Sequence, residues 1–470
     1  MQRSWTTSGR ALHLDLAPGT ARRPAIERAL RGAIRGGQLP VGTPLPSSRA
    51  LAHDLGVARG TVVEAYGQLV AEGYLATRQG SGTVVAWAAA AAPRRRPPAP
   101  APVDPIRFSF RTGRPDVSTF PRAAWVRALR AALARAPDRA LDYDEPRGRI
   151  ELRATLADYL ARARGVVASP DDVVVTNGFG QGLGFLAQAL RAGGAGQVAV
   201  ENPGGNEIQR LLSAAGLTCR PVPIDAEGLV AEQLSRDDAA VVITPAHQYP
   251  LGVTLSPGRR AAVVAWAREC GALVIEDDYD GEFRYDRQPV GALQALDPAH
   301  VVYAGTASKA LAPGVRLGWM VLPRPWAERV CEARSLSDGQ APALDQLALA
   351  ELIRNGAFER HLRRVRKEYR LRRDALIAAV SRRAPGIEPG GIAAGLHLVL
   401  RLPPEAPGEE ELEAACLARG VAVSRLRAFT VGRLALPPGL VVGNATPPAN
   451  SFDAAVEALA AALDAAWRRR

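Results

Sequence analysis

The run Val301-Val302-Tyr303-Ala304-Gly305-Thr306-Ala307-Ser308-Lys309 constrains this chain more than any other. It reads as a short buried strand that breaks at Gly305 into a polar turn, and the turn presents one lysine. A second turn signal, Pro313-Gly314, delivers Arg316 seven residues beyond that lysine. Lys309 and Lys367 are the only lysines, although lysine and arginine together number 59. A chain that uses arginine almost everywhere and keeps lysine here points to a reaction arginine cannot perform. A free ε-amine condenses with an aldehyde, and the neighbouring hydroxyls and guanidinium suit a phosphate. Pyridoxal 5′-phosphate (PLP) needs that set. Taken alone, a Ser-Lys pair reads better as solvated surface; Arg316 and an acidic strand end described below favour the cofactor.

With 470 residues, the chain is too long for one core, so two or three domains are expected. Hydrophobic content of 47% and charged content of 23% are those of a soluble globular protein. No apolar run is long enough to span a bilayer, and the N-terminus lacks a signal-peptide core. Cys219, Cys270, Cys331 and Cys416 are scattered without ligand spacing, which fits reduced thiols and a cytoplasmic location; no metal site is read. A formal charge of +12 favours an anionic partner such as nucleic acid.

Near the N-terminus, Ile26, Leu30 and Ile34 form one helical stripe that Gly36-Gly37 stops. A rigid connector, Leu39 to Pro46, follows. Ser47 then serves as N-cap for a helix from Ser48 to Leu55, which Gly56 ends. The next helix, Arg59 to Glu72, is expected to bury Val62, Tyr66, Leu69 and Val70, leaving Arg59, Gly60 and Thr61 free at its start. Two helices with a tight turn between them, the second opening on basic and hydroxyl-bearing residues, suit the DNA major groove. Tyr74 to Thr77 and Gly82 to Val85 read as hairpin strands around Arg78-Gln79-Gly80-Ser81, which makes a wing. A small helical domain for protein contacts is the alternative.

Leu45-Pro46-Ser47-Ser48-Arg49-Ala50-Leu51-Ala52, Gly56 to Val62, Ala71-Glu72-Gly73-Tyr74-Leu75 and Gly80-Ser81-Gly82-Thr83 resemble a GntR-type winged helix-turn-helix. The resemblance implies double-stranded DNA as partner and makes Arg49, Arg59, Thr61, Arg78 and Gly80 the expected contacts. Many members carry serine before the recognition-helix arginine, where this chain has Ala58. The domain is bounded at 15–86. An alanine-, proline- and arginine-rich linker follows at 87–106, with Arg94-Arg95-Arg96 in its middle.

From 107 to 468, helical and short strand patterns alternate, as in an α/β fold with a mainly parallel sheet and a smaller C-terminal part. Val173 to Thr176 runs into Asn177-Gly178-Phe179-Gly180-Gln181-Gly182-Leu183-Gly184, whose glycines allow backbone N–H groups to approach a phosphate. The spacing fails G-x-G-x-x-G, so a dinucleotide site is not favoured. Leu273 to Ile275 leads into Glu276-Asp277-Asp278-Tyr279-Asp280, where alternation puts Asp277 and Tyr279 on one side. A carboxylate beneath a pyridinium keeps that nitrogen protonated. A solvated acidic turn is the alternative reading, preferable if Lys309 were absent.

Phe120-Pro121, Tyr143 with Pro146 and Gly148, Thr244-Pro245-Ala246-His247-Gln248-Tyr249-Pro250, Glu276 to Tyr279 and Gly305 to Lys309 resemble the fold-type-I aminotransferase domain of MocR-type (GabR- and PdxR-like) regulators. That resemblance implies PLP on Lys309 as a Schiff base, Asp277 as the pyridine partner and Tyr279 as the phenol at the ring oxygen. It makes Gly178, Phe179, Gly180, Gln181, Thr306 and Arg316 the phosphate cradle. It also implies a homodimer and a PLP-, amine- or amino-acid-responsive transcriptional regulator. Three positions depart from the pattern: Gly205 stands where a ring-stacking tyrosine is usual, Tyr249 where aminotransferases carry asparagine, and Val441-Val442 where a carboxylate-binding arginine is expected. A working aminotransferase with an accessory DNA-binding head, and a DNA-binding protein whose large domain only dimerises, are the rival readings. The missing arginine implies little or no transaminase turnover.

Overall fold

The structure, a computed structural model, describes residues 4–7, 10–13, 22–78, 82–87, 106–285 and 290–468. The chain divides into two compact units, Met1–Val103 and Asp104–Arg470. Among the described residues no helix is long and apolar enough to cross a membrane.

In the first unit, β1 (Ser4–Thr7) and β2 (Arg10–His13) form an antiparallel hairpin. Three helices follow, α1 (Arg22–Arg35), α2 (Ser48–Leu55) and α3 (Arg59–Ala71), then a second hairpin of β3 (Leu75–Arg78) and β4 (Gly82–Val85). Local chemistry sets the ends of α2: the Ser47 hydroxyl accepts from Ala50 N, and Gly56 turns out of the helix in the left-handed region at φ 63°. Ile26, Leu30, Ile34, Leu51, Val62 and Leu69 are fully buried in one cluster, each worth about 1.5–3 kcal/mol of burial. The expected burial of Val70 is not observed. It is 37% exposed, and Ala65 takes the fourth inward place on α3, because two four-residue steps from Val62 overshoot the 3.6-residue turn and carry position 70 off the buried stripe. The Tyr66 hydroxyl donates to Pro46 O at 2.9 Å, pinning α3 to the connector. Gly80 at the wing tip and linker residues 88–105 lie outside the described residues.

The second unit is built on an eight-stranded sheet: β5 (Val173–Thr176), β6 (Gln197–Asn202), β7 (Thr218–Asp225), β8 (Gly228–Leu229), β9 (Ala240–Ile243), β10 (Leu273–Asp278), β11 (Val301–Thr306) and β12 (Gly318–Val321). Their order is β5-β12-β11-β10-β9-β6-β7-β8, with antiparallel pairs at β12 and β8 and parallel pairs elsewhere. Alternate residues enter different cores: Val174, Val302 and Ala304 pack on one face, Val173, Val175 and Tyr303 on the other. Burial on both faces is why these strands read as unbroken apolar runs. A second, antiparallel sheet of β13 (Glu388–Gly390), β14 (His397–Arg401), β15 (Ser424–Arg425) and β16 (Gly439–Gly443) has the order β13-β14-β16-β15 and belongs to a smaller C-terminal core. The chain enters this unit along that smaller part. Arg107 N and Phe108 N donate to Gly420 O, Phe110 N donates to Ala422 O, and Phe110 O accepts from Gly443 N.

Candidate functional site

Strands β5, β6, β9, β10 and β11 run the same way, so their carboxyl ends open onto one cavity, as expected for an open α/β sheet. It has a volume of about 570 Å³. Lys309, Asp277, Tyr279, Thr306, Arg316, Gly178, Phe179 and Gly180 all line it. Gln181 does not line it. Its side chain accepts from Asn177 N at 2.7 Å and donates to Asp338 at 2.8 Å, closing the loop before the helix. That helix, Phe179–Ala192, begins earlier than the glycine-rich sequence suggests, so Gly180, Gly182 and Gly184 lie inside it. At Gly182 a Cβ would stand 2.7 Å from Met320 Sδ, so packing requires this glycine.

One end of the cavity is formed by Gly178, at φ 98°, and the N-terminus of the Phe179 helix, with the Arg316 guanidinium over them. A Cβ on Gly178 would meet Arg316 Nη1 at 3.5 Å. Among the described residues Arg316 is the one non-glycine with positive φ (52°), a strain that occurs where a side chain must be aimed. Backbone N–H groups, a helix N-terminus and a guanidinium together suit a dianionic phosphate.

The other end is acidic. Asp277 is half-buried, and its Oδ1 has no hydrogen-bond partner. Burial pushes its carboxyl up to about 8, although Lys309 pulls the other way. A buried acceptor without a donor fits a pyridinium N–H. Burial lowers the Lys309 amine below its ordinary range, opposed by Asp277, Asp280 and Glu207. The amine donates to Gly113 O at 2.6 Å. The Tyr279 hydroxyl donates to His247 O at 3.1 Å, and His247 Nδ1 lies 2.9 Å from Asp280. The Thr306 hydroxyl caps the turn that carries the lysine, accepting from Ser308 N at 3.1 Å.

Several lining residues carry no signal in the sequence: Thr112, Gly113 and Arg114 from the entering segment, Glu201 at the end of β6, Glu207, and Phe429. Glu201 is buried, accepts from Thr244 and Gln248, and is pushed up to about 7 by burial. At the positions of departure, Gly205 also lines the cavity, and Val441 is buried in an apolar cluster with Leu251 and Phe429. Arg425 is held by Glu410 and Glu413, while Arg427 and Arg433 are exposed, so this region behaves as surface charge.

Residues 108–459 match the family described as Aminotransferase class I and II, and residues 23–85 match bacterial regulatory proteins of the gntR family. The chain is 36% identical over 378 residues to the pyridoxine biosynthesis transcriptional regulator PdxR of Corynebacterium glutamicum, covering 80% of this chain and 82% of that one. It is 34% identical over 420 residues to the probable rhizopine catabolism regulatory protein MocR of Rhizobium meliloti, covering 84% and 85%. It is a MocR-type regulator. Among solved structures, this regulator resembles an archaeal alanine:glyoxylate aminotransferase (TM-score 0.69, 26% identity, 76% of this chain and 91% of that one). It also resembles the Pyrococcus horikoshii kynurenine aminotransferase (TM-score 0.68, 26% identity, 77% and 92%). The regulator therefore joins a GntR DNA-binding domain to a fold-type-I domain whose cofactor is PLP.

On the DNA-binding unit, Arg49, Arg59 and Arg78 are exposed and Thr61 half-exposed. Arg23 and Arg31 are instead committed to Glu27, Glu64 and Glu72. Ala58 caps α3 without a side-chain hydrogen bond, and Arg59 Nε reaches only Ser48 Oγ at 3.4 Å. Arg59→Ala is expected to weaken operator binding by about 1–3 kcal/mol and relax preference at one base pair. Binding measured on operator and scrambled duplexes checks this; an equal loss on both would reduce Arg59 to a phosphate contact.

Proposed function

We propose that the regulator reads PLP, or an amine that reaches PLP, in the cavity around Lys309 and changes its grip on DNA accordingly. The observation that carries this is the meeting of Lys309, unpartnered Asp277 and the Gly178–Arg316 cradle in one cavity, in a chain that also bears a winged helix-turn-helix. In this reading Lys309 holds the cofactor covalently, Asp277 accepts from its ring nitrogen, and Tyr279 turns its one O–H from His247 O to the ring oxygen. Phe179, Gly180, Thr306 and Arg316 hold its phosphate, and Gln181 braces the loop. When bound, PLP supplies an electron sink and an electrophilic carbon. Arg49, Arg59, Thr61 and Arg78 meet the duplex.

A homodimer in the cytoplasm is part of the same proposal. Tyr143 is 95% exposed between Asp142 and Asp144, whose backbones both bond Gln340, and Leu336 is 86% exposed four residues before that glutamine. Asp338, between Leu336 and Gln340, braces Gln181, so both exposed residues lie on segments tied to the loop before the Phe179 helix. A monomer mass in sedimentation would contradict it.

The test is titration of PLP and then of amines while following binding to the DNA upstream of the regulator's own gene. No response to either, in wild type and Lys309→Ala alike, would remove the reading. Turnover with ordinary α-amino acids is expected to be negligible. A carboxylate needs a bidentate anchor to hold Cα–H over Lys309, and Val441 with its apolar neighbours occupies the expected place. Keto-acid release from common amino acids at rates typical of aminotransferases would show otherwise.

A further inference from the structure

Most charged groups in the cavity are committed. Lys309, Asp277 and Arg316 face the space assigned to the cofactor, and Glu201 is saturated by Thr244 and Gln248. Glu207 and Arg114 remain. Both are exposed lining residues, and neither side chain has a hydrogen-bond or ion-pair partner among the described residues. Glu207 stands in the first turn of the helix Asn206–Ala214, where the helix dipole favours its charge. Gly205 before it places no side chain across the cavity. The Glu207 charge reaches inward: it bears on the Lys309 amine, and it adds to burial in raising the Tyr249 phenol.

The wall beside it is aromatic and apolar. The Tyr249 and Phe429 rings lie 5.3 Å apart and nearly perpendicular, and Phe429 packs with Val441 and Leu251. An anion beside aromatic faces attracts an organic cation and repels a carboxylate. We propose that Glu207, with Tyr249 and Phe429, selects an effector amine that carries a second cationic group, a short α,ω-diamine, over amino acids. One amine approaches Lys309, and the distal ammonium meets Glu207. This rests on the cofactor reading above for the first amine, whereas the Glu207 contact does not require it.

The test uses the full-length protein with PLP bound, titrated with putrescine, butylamine and γ-aminobutyrate. Visible absorbance and thermal protection are read on the same samples. Putrescine is expected to half-saturate at a concentration roughly tenfold below butylamine, the scale of one partly shielded ion pair with a cation–π contact. Glu207→Gln should collapse that preference to below about twofold while keeping the visible band, and Arg114→Ala should leave it intact. Two results overturn the proposal: a putrescine preference that survives Glu207→Gln, or γ-aminobutyrate binding tightest and losing its advantage in Arg114→Ala. A wild type without cofactor absorbance would instead sink the cofactor reading, and thermal protection by the same amines would still decide the role of Glu207.

Discussion

Lys309→Ala is expected to yield a folded protein that lacks the visible absorbance of bound PLP and cannot be labelled by borohydride at this position. The side chain makes one hydrogen bond, to Gly113 O, so its removal costs the fold only about 1 kcal/mol. The covalent link, by contrast, has no substitute: the other lysine, Lys367, is on a different helix, Ala357–Arg383, and does not line the cavity. A variant as yellow as wild type, with another residue labelled after reduction, would reassign the site. The same change should move Asp277. In the cofactor-free protein the charged Lys309 amine lowers the Asp277 carboxyl, so the cofactor-free variant keeps Asp277 protonated to a pH above about 8. Because the folded state holds this proton longer than the unfolded chain, stability from this group falls as pH rises from about 4 to the folded value. In Lys309→Ala that window extends upward, which pH-dependent denaturation midpoints read directly.

The second large effect concerns the support under Asp277. Its neighbour Asp278 is paired with Arg164 at 2.6 Å, both side chains 1% exposed, and the Tyr303 hydroxyl donates to the same carboxylate oxygen at 2.7 Å. Removing one partner of a buried pair leaves the other charge unpaired. Arg164→Ala is therefore expected to destabilise the second unit by roughly 3–5 kcal/mol, with the denaturant midpoint shifted and the slope unchanged. A double replacement, Arg164→Leu with Asp278→Leu, should recover much of that loss. If Arg164→Ala cost less than about 1 kcal/mol, the pair would be of no more consequence than an exposed one.

The elements that could be read from sequence are those whose cause is local. Ser47 and Gly56 announce the ends of α2 because a cap is chemistry between residues a few positions apart. Lys309 and Asp277 stand out because each closes an apolar strand with a polar turn. Gly113, Glu201, Glu207 and Phe429 could not be found that way, since they reach the cavity from a loop, a strand, a helix and a turn that only the tertiary fold brings together. Gln181 looked like a phosphate ligand by position, but Asp338, more than 150 residues later, claims its amide. Val70 looked inward because a four-residue spacing approximates, without equalling, the helical period. Gly182 shows the same limit from the other side: its reason is Met320, on a strand it meets only in the folded sheet.

The entering segment has a mechanical meaning. Ile106 to Gly113 is one uninterrupted run of seven peptide steps, at most about 24 Å long, between the end of the linker and the carbonyl that receives the Lys309 amine. Its early part is stitched to the C-terminal region by backbone hydrogen bonds from Arg107, Phe108 and Phe110, which are indifferent to the state of any side chain. Its far end is held differently, by Lys309 on Gly113 and by the Thr112 hydroxyl against Tyr249 at 2.5 Å. The segment is thus a strut with one fixed foot and one conditional foot. Whatever engages the amine of Lys309 changes the load on that second foot, while the first stays fixed to the C-terminal region.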